Sequence, residues 1–150
     1  MKKLLIQLLY YFSIYLFKSD SPTKSRNTGI VTLVGHRYVR MLLYTLHSFF
    51  FQIGMSLPVF IIDDGTLTEN DYRLLSKHFK ILKLSVTERE KKMDQLLKPY
   101  PPLHSYRFSP YSSVLRLKLD GVLLSPFKRS ILLDSDVLFF KPPSEIIDWL

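Results

Sequence analysis

Short runs of β-branched and apolar residues recur along this chain, each separated from the next by a segment of different period, and that rhythm restricts the fold more than any other feature. Residues 29–34 (GIVTLV) form the first run. After it, Val39, Leu42, Leu43, Leu46, Phe49, Phe50 and Ile53 keep the spacing of one helix face up to Gly54. A second run, residues 57–62 (LPVFII), leads through DDGTLTEND into a helix that Thr66 and Glu69 can open as a capping box, with Tyr72, Leu75 and Phe79 on one face. KILKLSV reads as a third strand. A polar stretch, residues 87–98, then runs into a loop holding Pro99, Pro101 and Pro102, which is expected to be irregular and to pass over a cleft.

The segment YSSVLRLKLDGVLLSPF fits two periods: Leu115, Leu117 and Leu119 alternate with charged residues as in a strand, while Leu115, Leu119 and Val122 also fit a helix. Context favours the helix, because a parallel sheet needs a crossover before the fourth run, SILLD. SEIIDWL then begins a further helix, with Ser144 expected as its cap. The expected fold class is α/β: a Rossmann-like parallel sheet with helices on both faces, spanning residues 29–150. In such sheets ligands bind outside the carboxyl ends of the strands, where strand order reverses. Three groups fall at those ends: Gly35-His36-Arg37-Tyr38, Asp63-Asp64-Gly65 and Asp134-Ser135-Asp136.

At 150 residues the chain suits one domain with a substantial core. Lys2, Lys3, Lys18, Lys24 and Arg26 stand against Asp20 in the first 28 residues, which places half of the net charge of +8 there. An anionic partner, a lipid surface or a phosphorylated ligand, follows from that distribution. Residues 1–18 are apolar between lysines but too short to span a bilayer, and the chain holds no alanine for a signal-peptide cleavage site. Two readings fit them: a helix packed on the domain, or an interfacial helix with its lysines on anionic lipid. Residues 19–28 have the composition of a linker. The expected location is cytoplasmic, with peripheral contact at a membrane the alternative. The absence of cysteine excludes disulfides, thiolate metal sites and a cysteine nucleophile.

Asp134 and Asp136 offer hard oxygen ligands suited to Mn²⁺ or Mg²⁺, ions bound through few carboxylates together with substrate phosphates. Acids also end strands simply because they start turns, so the pair alone does not define a metal site. His36, His47, His78 and His104 show no ligand spacing and are read as non-catalytic, and Arg37 as a surface residue.

The order of these groups resembles the nucleotide-sugar-dependent glycosyltransferases of the GT-A fold, and especially the glycogenin-type retaining family. The matching features are the strand VTLV, Tyr38 opening the first helix, the acid-rich turn IIDDGT, Lys118 upstream, and the apolar strand ILLDSDVLFFKP carrying Asp134 and Asp136. The resemblance implies a metal-dependent transfer of sugar from a nucleotide-diphosphate sugar, a UDP-sugar by analogy, to a glycosyl acceptor, with retention of configuration. It implies that Asp134 and Asp136 hold the divalent ion at the donor diphosphate and that Tyr38 borders the base. Asp63 or Asp64 would accept hydrogen bonds from base or ribose, and Lys118 would approach the donor sugar or diphosphate. No catalytic residue is assigned.

Members of that family continue well past the D-x-D, so residues 29–150 are expected to be the donor-binding half, truncated and of doubtful activity alone. The alternative function is a basic membrane-surface or interaction module without catalysis. Nucleic acid is not expected as a partner, since no basic-aromatic stripe or known motif accompanies the positive charge.

Overall fold

The computed structural model describes residues 28–111 and 113–150. The apolar basic segment 1–18 and all but the last residue of the 19–28 linker lie outside the described residues. The sheet has four parallel strands, β1 (Thr28–Val34), β2 (Val59–Asp63), β3 (Ile81–Lys83) and β4 (Arg129–Leu132), in the order β3-β2-β1-β4. The chain therefore steps outward twice from β1, then returns to the opposite side of β1. That reversal is the switch point of a doubly wound sheet.

The six α-helices of the described residues are α1 (Val39–Ile53), α2 (Glu69–Ser76), α3 (Val86–Leu97), α4 (Pro101–Phe108), α5 (Lys118–Leu123) and α6 (Ser144–Trp149). All seven apolar positions that set the period of α1 are buried, and Gly54 ends the helix in the left-handed conformation at φ 66°. Their side chains pack with Ile30, Val34, Val59 and Ile61 on one sheet face, where Leu75 and Phe79 join them. The opposite face buries Val31, Phe60 and Ile62 under Leu117. Helices thus cover both faces; the central strands β1 and β2 are buried almost throughout, as their continuous apolar runs required, whereas the outer strands β3 and β4 are only partly buried. Truncating Phe49, fully buried at the centre of the larger cluster, would cost about 3–5 kcal/mol.

Gly121 explains why α5 can lie so close to the sheet. A Cβ there would stand 2.6 Å from Val31 Cγ1. The ambiguous segment before β4 is helical: a 3-10 turn, Val114–Leu117, continues directly into α5.

Several expected boundaries are corrected. The capping box of α2 is Thr68 with Asp71, not Thr66 with Glu69; the Asp71 amide bonds Thr68 Oγ1, and Asp71 Oδ2 accepts from the Thr68 amide. Thr66 instead serves the preceding turn. The polar stretch 87–98 is almost entirely α3, opened by a Ser85/Glu88 capping box and anchored by Arg89, Met93 and Leu97 at four-residue spacing. The proline-rich loop contains α4, because Pro101 and Pro102 occupy its first turn, where no backbone donor is needed. Ser144 is the first residue of α6 rather than its cap, a position taken by Pro143 without a side-chain bond.

Candidate functional site

A cleft of about 320 Å³ opens at the carboxyl ends of β1 and β4, at the switch point. Its floor and walls include Gly35, Tyr38, Asp64, Lys118, Asp134 and Asp136. Three strand-end groups distant in sequence thus meet in one place, joined by Lys118 from the first turn of α5. A second groove, of about 660 Å³, is lined by one continuous segment from Leu138 to Glu145, whose only charged side chains are Lys141 and Glu145. It lacks the convergence of separate elements that defines the first.

Each lining residue is placed by a local cause. Gly35 leaves β1 in extended backbone, and a Cβ on it would stand 2.0 Å from Asp64 Oδ2, so the absent side chain makes room for that carboxylate. Asp64 Oδ1 accepts from the Thr66 amide at 2.9 Å and from its hydroxyl at 2.6 Å, which fixes the carboxylate against the turn. Tyr38 closes a 3-10 turn, His36–Tyr38, with its amide bonded to the Gly35 carbonyl at 2.9 Å and its side chain 45% exposed. The ring is therefore free to meet a ligand.

Asp63 belongs to the frame instead. Its Oδ1 accepts from the Gly65 and Leu67 amides at 2.7 and 3.1 Å, and its Oδ2 accepts from the Tyr72 hydroxyl at 3.1 Å. Burial, and then the neighbouring Asp63 carboxylate, push the Tyr72 phenol up. Of the two adjacent acids, only Asp64 lines the cleft.

The Asp134-Ser135-Asp136 turn is held from behind by α1. Thr45 Oγ1 donates to the Ser135 carbonyl at 3.0 Å, Ser48 Oγ accepts from the Phe139 amide at 3.2 Å, and Gln52 Nε2 reaches the Phe139 carbonyl at 3.4 Å. Across the cleft, Lys118 Nζ stands 2.5 Å from Asp134 Oδ1. Sequence reasoning missed Thr45, Ser48 and Gln52. Their signal was present as polar residues at i, i+3 and i+7 bordering the apolar face of α1, a spacing that puts them on one stripe.

Sequence reasoning also missed a buried ionic cluster behind the cleft. Arg107 donates from Nε and Nη2 to the two oxygens of Asp120 at 2.6 Å each, and from Nη2 to Glu90 at 2.7 Å. Arg89 Nε lies 3.2 Å from Asp120 Oδ2 without hydrogen-bond geometry, and its Nη1 donates to the Asp63 carbonyl at the end of β2. Burial alone would raise the Glu90 carboxyl, but the hydrogen bond and charge of Arg107 hold it below its ordinary range. The cluster ties α3, α4 and α5 to the strand end that carries Asp64.

The histidines are paired. His36 contacts Asp71 at 2.8 Å, His104 contacts Asp94 at 2.8 Å, and His47 faces His78 at 3.3 Å. Among the described residues, no group of three or more histidine or acidic side chains is gathered so as to hold an ion unaided. Nor is any of their helices long and apolar enough to cross a membrane.

Charge decides what the cleft suits. Asp64, Asp134 and Asp136 face one ammonium, Lys118, so a diphosphate alone would meet net negative charge. Two oxygen donors from one turn fit a hard divalent ion that takes its other ligands from phosphate or water.

A doubly wound parallel sheet with a polar cleft at its switch point defines a Rossmann-like α/β protein, a class whose ligands bind outside the carboxyl ends of the strands. The chain belongs to the family described as "Mannosyltransferase putative", whose model matches residues 27–149 and so takes in the whole of the described fold. It is thus a member of a glycosyltransferase family, which implies a sugar donor and an acceptor. No curated protein matches the chain.

Proposed function

We propose that the cleft binds the diphosphate of a nucleotide-sugar donor together with Mn²⁺ or Mg²⁺, and that the sugar transferred is mannose, as the family's description suggests. The observation that carries the reading is the meeting of Tyr38, Asp64, Lys118, Asp134 and Asp136 in one cleft at the β1/β4 switch point. Glycogenin-type GT-A chemistry is the mechanistic frame.

In this reading Asp134 and Asp136 hold the divalent ion. When bound, such an ion supplies Lewis-acid neutralisation of the charge that builds on the departing diphosphate. Lys118 exchanges its contact with Asp134 for one with the diphosphate, adding a second positive charge where the leaving group develops. Tyr38 borders the base with its exposed ring, and Asp64, already oriented by Thr66, accepts from ribose hydroxyls. UDP is the nucleotide implied by the family resemblance; a mannose donor makes GDP the necessary comparison.

Thermal unfolding in Mn²⁺ with UDP or GDP tests the reading. Ligand at about 100 times its Kd should stabilise the protein by about 2.7 kcal/mol. Asp136→Ala should abolish that gain. No stabilisation of the intact protein by either nucleotide, or an equal gain in the variant, contradicts the proposal.

A further inference from the structure

We propose that Thr45, buried in the middle of α1, is a positioning residue for the paired acids, acting through the Ser135 carbonyl; this rests on the metal and diphosphate reading above. Thr45 is fully buried, yet its hydroxyl is directed across to a residue far along the chain, 3.0 Å from the Ser135 oxygen. A helical threonine ordinarily satisfies its hydroxyl on its own helix. Here the bond goes to the peptide that joins Asp134 to Asp136.

Placement of that peptide matters because regular pairing ends before it. β4 stops at Leu132, and a turn begins at Ser135. The backbone bonding to β1 runs out at the Leu133 amide, which donates to the Val31 carbonyl at 2.9 Å, so the ladder stops one residue short of the acids, although both line the cleft. Ser48 extends the brace. Its hydroxyl donates to the Thr45 carbonyl at 2.9 Å and accepts from the Phe139 amide at 3.2 Å. The Phe139 ring packs 4.9 Å from Phe49 on the same helix. α1 thus grips the turn at Ser135 and again at Phe139, and Asp136 is carried between the two grips.

Thr45→Val keeps shape and volume but removes the donor, while Thr45→Ser keeps the donor. Losing one such hydrogen bond should weaken binding of Mn²⁺ with GDP or UDP by about three- to tenfold. Affinity is read by the free Mn²⁺ resonance signal, beside unfolding by denaturant. Thr45→Val should bind more weakly and Thr45→Ser should recover to within about twofold.

Unchanged affinity in Thr45→Val, or equal loss in Thr45→Ser, overturns the inference while leaving the site intact. Absence of Mn²⁺-nucleotide binding in the unaltered protein overturns the functional reading and this inference together. Should Thr45→Val fail to fold, Ser48→Ala, which removes the second grip from a half-buried position, takes its place. It is expected to quicken hydrogen exchange at the Phe139 amide and to weaken nucleotide binding, and no change in either contradicts the brace.

Discussion

Lys118 Nζ lies 2.5 Å from Asp134 Oδ1, so the cleft already contains a cation where the proposed divalent ion would bind. The two side chains are 32% and 53% exposed, which places the pair in a partly screened setting. Lys118 is thus a competitor for an ion arriving alone and a partner for an ion arriving with diphosphate.

The prediction for Lys118→Met has two opposite signs. Mn²⁺ alone should bind about two- to fivefold more tightly, since an ammonium no longer competes for Asp134. Mn²⁺ with a nucleoside diphosphate should bind more weakly than to the unaltered protein. Isothermal titration of both ligands decides it, and a change of the same sign for both would refute the exchange.

Gly35→Ala separates stability from binding. The Gly35 backbone is extended, so alanine is tolerated there, but its Cβ collides with the Asp64 carboxylate. That carboxylate can swing outward, and stability should change by no more than about 1 kcal/mol. Nucleotide affinity should fall about tenfold as Asp64 leaves its Thr66 bonds. Denaturant unfolding with a parallel nucleotide titration checks both halves.

Asp120→Ala should behave in the reverse way, with stability as its main casualty. Asp120 is fully buried between Arg107 and Arg89, and its loss leaves two buried guanidinium groups sharing the half-exposed Glu90. Removal of one member of a buried ionic cluster costs about 3–5 kcal/mol. Urea unfolding at neutral pH measures this, and a loss below about 1 kcal/mol would show that the cluster is not the structural tie described here.

The His47–His78 pair gives the fold a pH dependence. Burial, and then the charge of His78, lower His47 to about 4. An imidazole of ordinary pKa, about 6.5, takes up a proton in the unfolded chain before the folded one does. Between those two values the unfolded state binds more protons, so stability is complete above about pH 6.5 and is lost as pH falls toward 4. The ring is partly exposed, and the expected loss is about 1–2 kcal/mol. Urea midpoints at pH 7, 5.5 and 4.5 should fall in that order, and His47→Gln should flatten the slope; an unaltered slope in the variant contradicts the assignment.

The fold was legible because the central strands β1 and β2, buried on both faces, must be largely apolar, and each of the four runs predicted a strand of the parallel sheet. The seven apolar positions of α1 were equally plain, since one helix face must match one sheet face. What escaped was the structure held by polar side chains. α3 was obscured because only Arg89, Met93 and Leu97 face inward, and the first of them carries a charge that looked solvated. α4 was hidden by prolines whose place in a first turn depends on where the helix begins.

The same limit applies to the cleft. Gly35, Tyr38, Asp64, Asp134 and Asp136 could be chosen from strand ends, because topology collects strand ends, whereas Lys118, on a helix, was singled out only by the family resemblance. Thr45 and the Arg107–Asp120 cluster could not, since a buried threonine and a buried arginine acquire meaning only from partners distant in sequence. Asp63 and Asp64 were interchangeable on paper, and side-chain direction distinguishes them.

Paramagnetic broadening by Mn²⁺ in the presence of GDP or UDP tests the central claim most directly, because it locates the ion without requiring turnover. The account predicts that backbone amide signals of Gly35, Lys118, Ser135 and Asp136 broaden first, at low ratios of metal to protein, and that Asp136→Ala abolishes the effect. Broadening centred on the Leu138–Glu145 groove or on His47 and His78, with the Asp134-Ser135-Asp136 turn unaffected, would contradict it.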